Sequence, residues 1–272
     1  VRFLDSENLE RYEPPFTRRM ANSVFSSITD HLEWRLLQLR YRLNSGTVKR
    51  SVGEIESSFN VDSFREFLRV TDYQDEDFVI ECLLERVRPD DVFWDIGANI
   101  GTYSCYVGQK VERTIAVEPF PDNARRAQKN CQLNGIDATI VKYALGEHRE
   151  KASLAPPESD QSVAGVGTFS LQNTSTSSES IDVNVVPGDE LAREESLPLP
   201  DVMKIDVEGG ELDVLEGFDN GLRNARIVLV EVHPSHVEQS EVTDVLESGG
   251  LSVEVLRQRN DEVHLLATRT DE

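Results

Sequence analysis

The chain has 272 residues, enough to bury a full core as one large domain or as a domain with an added segment. Its 50 Asp plus Glu against 28 Lys plus Arg leave a formal charge of −22, a balance that repels nucleic acid at moderate salt. No apolar run reaches the roughly 18 residues of a membrane span, so stable membrane insertion is not expected. Only six of the basic residues are lysine, and the acids are spread along the chain. That pattern reads as halophilic: carboxylates hold water, and salt screens their mutual repulsion. The charged, proline-broken start "VRFLDSENLERYEPPF" is unlike a secretory signal. Cys82, Cys105 and Cys131 form no C-x-x-C pair, which argues against a disulfide framework or a thiolate zinc site and fits a reducing cytoplasm.

In chain order, residues 1–75 read as an N-terminal helical extension. Thr29 or Asp30 would cap a helix with Leu32, Leu36, Leu39 and Leu43 at helical spacing, ended by Gly46. A second helix, in "DYQDEDFVIECLLERVRP", sets Phe78, Cys82, Leu83 and Val87 on one face and closes at Pro89. From residue 76 onward a second domain begins, and past Asp91 its rhythm is strand then helix. The strand candidates are "DVFWD", "TIAVE", "ATIVKY", "DVMKIDV", "ARIVLVEVH", "LSVEVLRQ" and "EVHLLATR", with helices starting near Asn99, Pro121, Gly210 and Ser235. Short apolar strands alternating with helices predict an α/β fold, a doubly wound, mostly parallel sheet. Too few residues separate the last two strands for a crossover helix, so the final strand must run antiparallel. The Ser/Thr/Gly-rich insertion at 152–186 predicts an exposed loop, or a hairpin of Ser153–Leu154 with Ile181–Val186 and a disordered tip near 175–180.

The turn in "VFWDIGANIGTYS" leaves the first sheet strand through Asp95, Gly97, Asn99 and Gly101. In open parallel sheets, ligands bind at the carboxyl ends of the strands near the switch point. A dinucleotide fingerprint asks for G-x-G-x-x-G, but Asn99 stands where the second glycine belongs. Asp95 would sit badly against a pyrophosphate and suits a ligand bearing an ammonium group, such as S-adenosylmethionine. Glu118, at the end of the second strand, can accept hydrogen bonds from vicinal ribose hydroxyls.

"DIGANIGTYS", "VEPFPDNARRAQKNCQLN", "YALG", "MKIDVEGGELDVLEGF" and "LVEVHP", in this order, resemble the FkbM-type S-adenosylmethionine-dependent methyltransferases. The resemblance spans Asp75 to the C-terminus, and "KIDVEGGE" is its most specific part. It implies a Rossmann-like seven-stranded sheet with the last strand antiparallel, and O-methylation of a hydroxyl on a sugar, glycolipid or small metabolite. Carried over residue by residue, Asp95, Gly97, Ala98, Asn99 and Gly101 match the methionine-end motif. Glu118 matches the ribose ligand, and Phe120, Tyr143 and Ala144 match positions flanking the adenine.

Methyl transfer from a sulfonium needs mainly a positioned oxygen and a group to take its proton. Strand alternation sets Lys204, Asp206 and Glu208 on one side, where they serve catalysis directly or form an ion pair ordering the strand end. His233, at the end of the fifth strand beside Glu231, could take a hydroxyl proton near neutral pH. Glu211 reads as a helix cap, and His31, His148 and His264 receive no role. Asp206, Glu208, Glu231 and His233 could converge on a metal, but the spacing does not demand one and none is assigned. The N-terminal helices and the insertion are assigned to covering an acceptor pocket, or, for the helices, to homo-oligomerisation. The rival readings are an NAD-dependent oxidoreductase and a binding protein that kept the fold without activity. A nucleic-acid amino-methylase is disfavoured by the charge and by "DVEG" where [DN]-P-P-[YF] would stand.

Overall fold

The computed structural model describes residues 28–71, 76–155, 170–172, 181–258 and 262–269. The chain divides into two compact units, residues 1–45 and 46–272. In the first, the described element is helix α1 (Ile28–Leu43), with Leu36, Leu39 and Leu43 exposed. Thr29 and Asp30 lie inside this helix, so neither is its cap.

The second unit opens with a hairpin, β1 (Thr47–Val52) and β2 (Ile55–Asn60), followed by α2 (Phe64–Thr71) and α3 (Asp77–Leu84). Next come β3 (Val92–Ile96), α4 (Thr102–Val107), β4 (Arg113–Val117), α5 (Pro121–Leu133) and β5 (Thr139–Val141). The insertion supplies β6 (Ala144–Leu145), β7 (Glu150–Ala155), β8 (Ser170–Gln172) and β9 (Ile181–Val186), and α6 (Gly188–Glu194) follows. The chain closes with β10 (Val202–Ile205), α7 (Glu211–Glu216), α8 (Asp219–Asn224), β11 (Ile227–Val232), α9 (Gln239–Ser248), β12 (Ser252–Gln258) and β13 (Val263–Thr268).

All seven strands expected from the apolar runs form one sheet, in the order β12-β13-β11-β10-β3-β4-β5. β13 is antiparallel to both neighbours, while β11, β10, β3, β4 and β5 pair in parallel. This is the Rossmann-like sheet of the sequence reading. β10 and β11 are buried along their whole length, as expected for central strands covered on both faces. Trp94, Ile96, Met203, Ile205, Val228 and Val230 belong to the main apolar cluster. The chain steps outward from β3 to β4 and β5, then returns to β10 on the other side of β3. The switch point of the sheet therefore lies at the ends of β3 and β10.

Three local expectations need correction. Phe78 is 57% exposed, because α3 buries Val79, Ile80 and Leu83 instead. The fourth expected helix starts at Gln239, after a turn that holds Pro234 to Val237. The hairpin β1–β2 and helix α2, read as part of the extension, belong to the second unit. They are tied to α5, where Asn130 Oδ1 accepts the Asn60 N–H at 2.8 Å and Asn134 Oδ1 accepts the Ser58 N–H at 2.8 Å. Arg126 of α5 also pairs with Glu66 of α2 at 2.7 Å, both side chains being buried.

In the insertion, β7 pairs antiparallel with β9, bringing Ser153 opposite Asp182 and Leu154 opposite Ile181. With β6 and β8 they make a second sheet in the order β6-β9-β7-β8. The tip near 175–180 lies outside the described residues.

Candidate active site

The turn after β3 is pinned to its neighbours before any ligand is considered. The N–H groups of Gly97 and Ala98 both donate to the Val117 carbonyl of β4, at 3.0 and 3.1 Å. A Cβ on Gly97, whose φ is +74°, would lie 1.8 Å from the Asp206 carbonyl oxygen. One on Gly101, at φ +82°, would meet the Ala127 backbone of α5 at 3.1 Å. The glycines thus admit the close approach of β10 and α5.

Asp95 corrects the sequence reading. It is fully buried, and its Oδ2 accepts both the Ser104 N–H at 2.9 Å and the Ser104 hydroxyl at 2.6 Å, anchoring helix α4. Its Oδ1 lies 3.5 Å from Lys204 Nζ, its register partner on β10. The carboxylate therefore faces the interior and cannot reach a ligand's ammonium group.

A cleft of about 670 Å³, counted out to its open mouth, lies at the carboxyl ends of β3, β4 and β10. Gly97, Asn99, Glu118, Tyr143 and Ala144 line it; Ala98 and Gly101 do not, and Phe120 is packed into the insertion's apolar cluster. Glu118 Oε2 accepts the Asn99 N–H and Oε1 the Phe120 N–H, both at 2.8 Å. Burial raises its carboxyl to about 7, against the opposing effect of these two backbone bonds. Each oxygen retains a further lone pair.

On the other side of the cleft stands a charged group. Lys204 Nζ donates to the Gly97 carbonyl at 3.0 Å and lies 3.3 Å from Asp206 Oδ2, with the Tyr103 ring 5.2 Å away. Burial alone would lower its ammonium, but Asp206 and Asp95 outweigh it and hold the group above the ordinary lysine range. A lysine so held stays charged and is no base. β10 ends at Ile205, so alternation does not extend to Glu208; its left-handed backbone, φ +54°, turns that side chain to the cleft beside Asp206. Burial, then Asp206 and Glu231, raise Glu208 to about 8.

His233 sits just past β11. Its Nδ1 lies 2.8 Å from Glu211 Oε1, an oxygen that also accepts the Gly209 N–H at 2.9 Å. Its Nε2 lies 3.4 Å from Glu208 and 3.9 Å from Glu231. Although burial would lower the ring, the Glu211 bond and Glu208 raise it to about 9. This arrangement favours the protonated ring, which is at odds with the expected role of neutral proton acceptor.

Several neighbours escaped the sequence. His264, given no role, is 2% exposed and lies 3.3 Å from Glu231. It opens an antiparallel strand, so its end of β13 meets the carboxyl ends of the parallel strands. Arg69 of α2 lines the cleft, and Glu76, at the start of α3, accepts the Tyr103 hydroxyl at 3.1 Å. Arg69 came from the segment assigned to the extension, and Glu76 from the first residue after it. Burial, Glu231 and Asp206 raise Glu76 to about 7.

The Methyltransferase FkbM domain model matches residues 95–255. The chain belongs to the FkbM methyltransferase family. It is 34% identical over 214 residues to the hexuronic acid methyltransferase AglP of Haloferax volcanii, covering 79% of this chain and 85% of that one. It is 29% identical over 206 residues to Methyltransferase 1 of Beauveria bassiana, covering 67% of this chain and 81% of that one. The magnesium protoporphyrin IX methyltransferase of Synechocystis PCC 6803 matches with a TM-score of 0.47 at 14% identity, over 99% of this chain and 100% of that one. A likeness this loose carries no weight, and the fold rests on the strand order above.

As an FkbM methyltransferase, the protein is an S-adenosylmethionine-dependent enzyme. The residues present fit that donor: the cleft has a fixed carboxylate, Glu118, with lone pairs to spare, and apolar walls from Ile96, Val117 and Leu154. The acid-rich composition agrees with the haloarchaeal relative. Among the described residues, no helix is long and apolar enough to cross a membrane.

Proposed function

We propose that this enzyme methylates a hydroxyl group of a sugar, carried on a glycan, a glycolipid or a small metabolite. The observation that carries the reading is the convergence of Asp206, Glu208 and His233 at the ends of β10 and β11, in or beside the cleft that contains Glu118. When bound, S-adenosylmethionine supplies a methyl carbon on a positively charged sulfur, an excellent leaving group. Glu118 would accept the ribose hydroxyls, with Tyr143 and Ala144 beside the adenine and Gly97 and Asn99 toward the methionine end. Asp206, held ionised by Lys204, would draw off the proton of the acceptor hydroxyl as the oxygen attacks, while Glu208 and His233 hold that hydroxyl by hydrogen bonds. Lys204 and Glu211 are positioning residues: one holds Asp206, the other holds the His233 ring.

The relative's acceptor is a hexuronic acid, and Arg69 in the cleft wall supplies a positive charge that suits an acidic sugar here as well. The −22 charge disfavours a nucleic acid acceptor. The test is transfer of radiolabelled methyl from S-adenosylmethionine into cell extract, in molar salt. Label is expected in polysaccharide or lipid fractions and should survive mild alkali, as an ether does. Label released by mild alkali would mean a methyl ester and overturn the hydroxyl assignment. Label mainly in RNA or protein would overturn the sugar.

A further inference from the structure

The group formed by Asp206, Glu208 and His233 has a shape that proton transfer alone does not require. One ligand atom from each lies within 4.8 Å of the other two. Ligands facing each other across a magnesium ion, at about 2.0–2.1 Å each, stand about 4.0–4.2 Å apart, so a group held within this 4.8 Å span closes on such an ion with a shift of about 0.3–0.4 Å per ligand. The imidazole is also presented as metal-binding histidines are. Its Nδ1 is tied to the Glu211 carboxylate at 2.8 Å, which fixes the ring and leaves Nε2 directed toward Glu208 and Glu231.

A second observation comes from behind the group. The His264 ring is 2% exposed, and neither nitrogen has a hydrogen-bond partner. Its Nε2 is turned onto Glu231 Oε2 at 3.3 Å, and the other Glu231 oxygen lies 3.9 Å from His233 Nε2. An imidazole left unsatisfied in the interior is costly. Here it backs a carboxylate that faces the same space as Glu208 and His233. Lys204, the nearest buried cation, is already shared between Asp95 and Asp206.

We propose that Asp206, Glu208 and His233 bind a divalent cation, with Glu231 and His264 as the supporting wall behind it. The oxygen-rich donor set suits Mn²⁺ or Mg²⁺ over softer ions. Resting on the methyltransferase reading, the cation's role is to hold the acceptor's oxygens and to lower the pKa of the hydroxyl that attacks. It also removes the conflict of an acidic site receiving an acidic sugar, because the metal bridges the two sets of carboxylates.

The experiment uses the full chain in molar KCl, with free Mn²⁺ followed by electron paramagnetic resonance. One Mn²⁺ per chain is expected. His233→Ala and Glu208→Gln should each weaken binding at least tenfold, and Glu211→Gln, which releases the ring, by about tenfold. Glu112→Gln, an exposed acid before β4, should leave it unchanged. If His233→Ala fails to fold, Glu208→Gln, with its side chain 27% exposed, decides the matter. No stoichiometric Mn²⁺, or binding indifferent to Glu208→Gln, would overturn the site. Calorimetry with S-adenosylhomocysteine in EDTA reads the cofactor cleft separately: lost binding there would count against the methyltransferase reading, while the Mn²⁺ result stands on its own.

Discussion

Replacing Lys204 with methionine separates a structural ammonium from a chemical one. The side chain is buried, with its nitrogen 3.5 Å from Asp95, 3.3 Å from Asp206 and 3.0 Å from the Gly97 carbonyl. Methionine fills most of the volume, so cavity formation is a minor part of the loss. The larger part is electrostatic. Asp95 is fully buried, its Oδ1 has no hydrogen-bond partner, and without the ammonium it becomes an uncompensated charge. Breaking a buried pair from one side costs about 3–5 kcal/mol. For a folded unit of this size, about 2–4 °C of melting temperature per kcal/mol gives a fall of roughly 6–20 °C. Asp95→Asn added to Lys204→Met should recover part of that loss, because it removes the stranded charge and keeps an acceptor for Ser104. Urea unfolding followed by circular dichroism in molar KCl measures both variants. A loss under about 1 kcal/mol, or no recovery in the double variant, would refute the structural role and return Lys204 to the chemistry.

Glu118→Ala should weaken S-adenosylhomocysteine binding by about 1–3 kcal/mol in calorimetry; unchanged affinity would remove Glu118 from the ribose. Burial raises Glu118 from 4.5 to about 7, so its contribution to stability is full below about 4.5 and is lost as pH rises through about 7. That change amounts to about 3 kcal/mol, and Glu118→Gln should flatten urea-measured stability between pH 5 and 8, where an unaltered slope would contradict the assignment. With a charge of −22, the melting temperature should climb from dilute to molar KCl, and a flat profile would make the acid excess incidental.

Periodicity made the sheet legible: every apolar run became a strand, and the short last connection required the antiparallel β13. Glu118 is expected at the end of the second strand, and Tyr143 and Ala144 are matched through the family resemblance; all three line the cleft. Periodicity could not say which way a side chain leaves its strand. Asp95 looked like a ligand group because it precedes the turn, but it points to Ser104, nine residues on. Glu208 was placed by alternation and arrives there by a left-handed backbone. Arg69, Glu76 and His264 were illegible because they reach the site from a helix, a helix start and an antiparallel strand far apart in sequence. Only hydrogen bonds such as Asn130 to Asn60, 70 residues apart, settle where such elements dock.

The stretch "KIDVEGGE" acts mechanically as a clasp across the switch point. Lys204 reaches forward to Asp95 and the Gly97 carbonyl. The carbonyl of Asp206 occupies the space that any side chain at residue 97 would need. Gly209, at φ +105°, passes where a Cβ would meet His236 at 2.7 Å, and Glu211 closes the clasp on His233. One short segment thus joins the turn on the donor side to the imidazole on the acceptor side. Residues 204, 206, 208 and 211 are therefore mechanically coupled, and paired substitutions among them should depart from additivity by about 0.5–3 kcal/mol, as residues sharing one network do. Unfolding free energies for Lys204→Met, Glu211→Gln and their combination test this directly. Additive values would mean that the donor and acceptor sides are independent, and that the clasp is only a run of neighbouring residues.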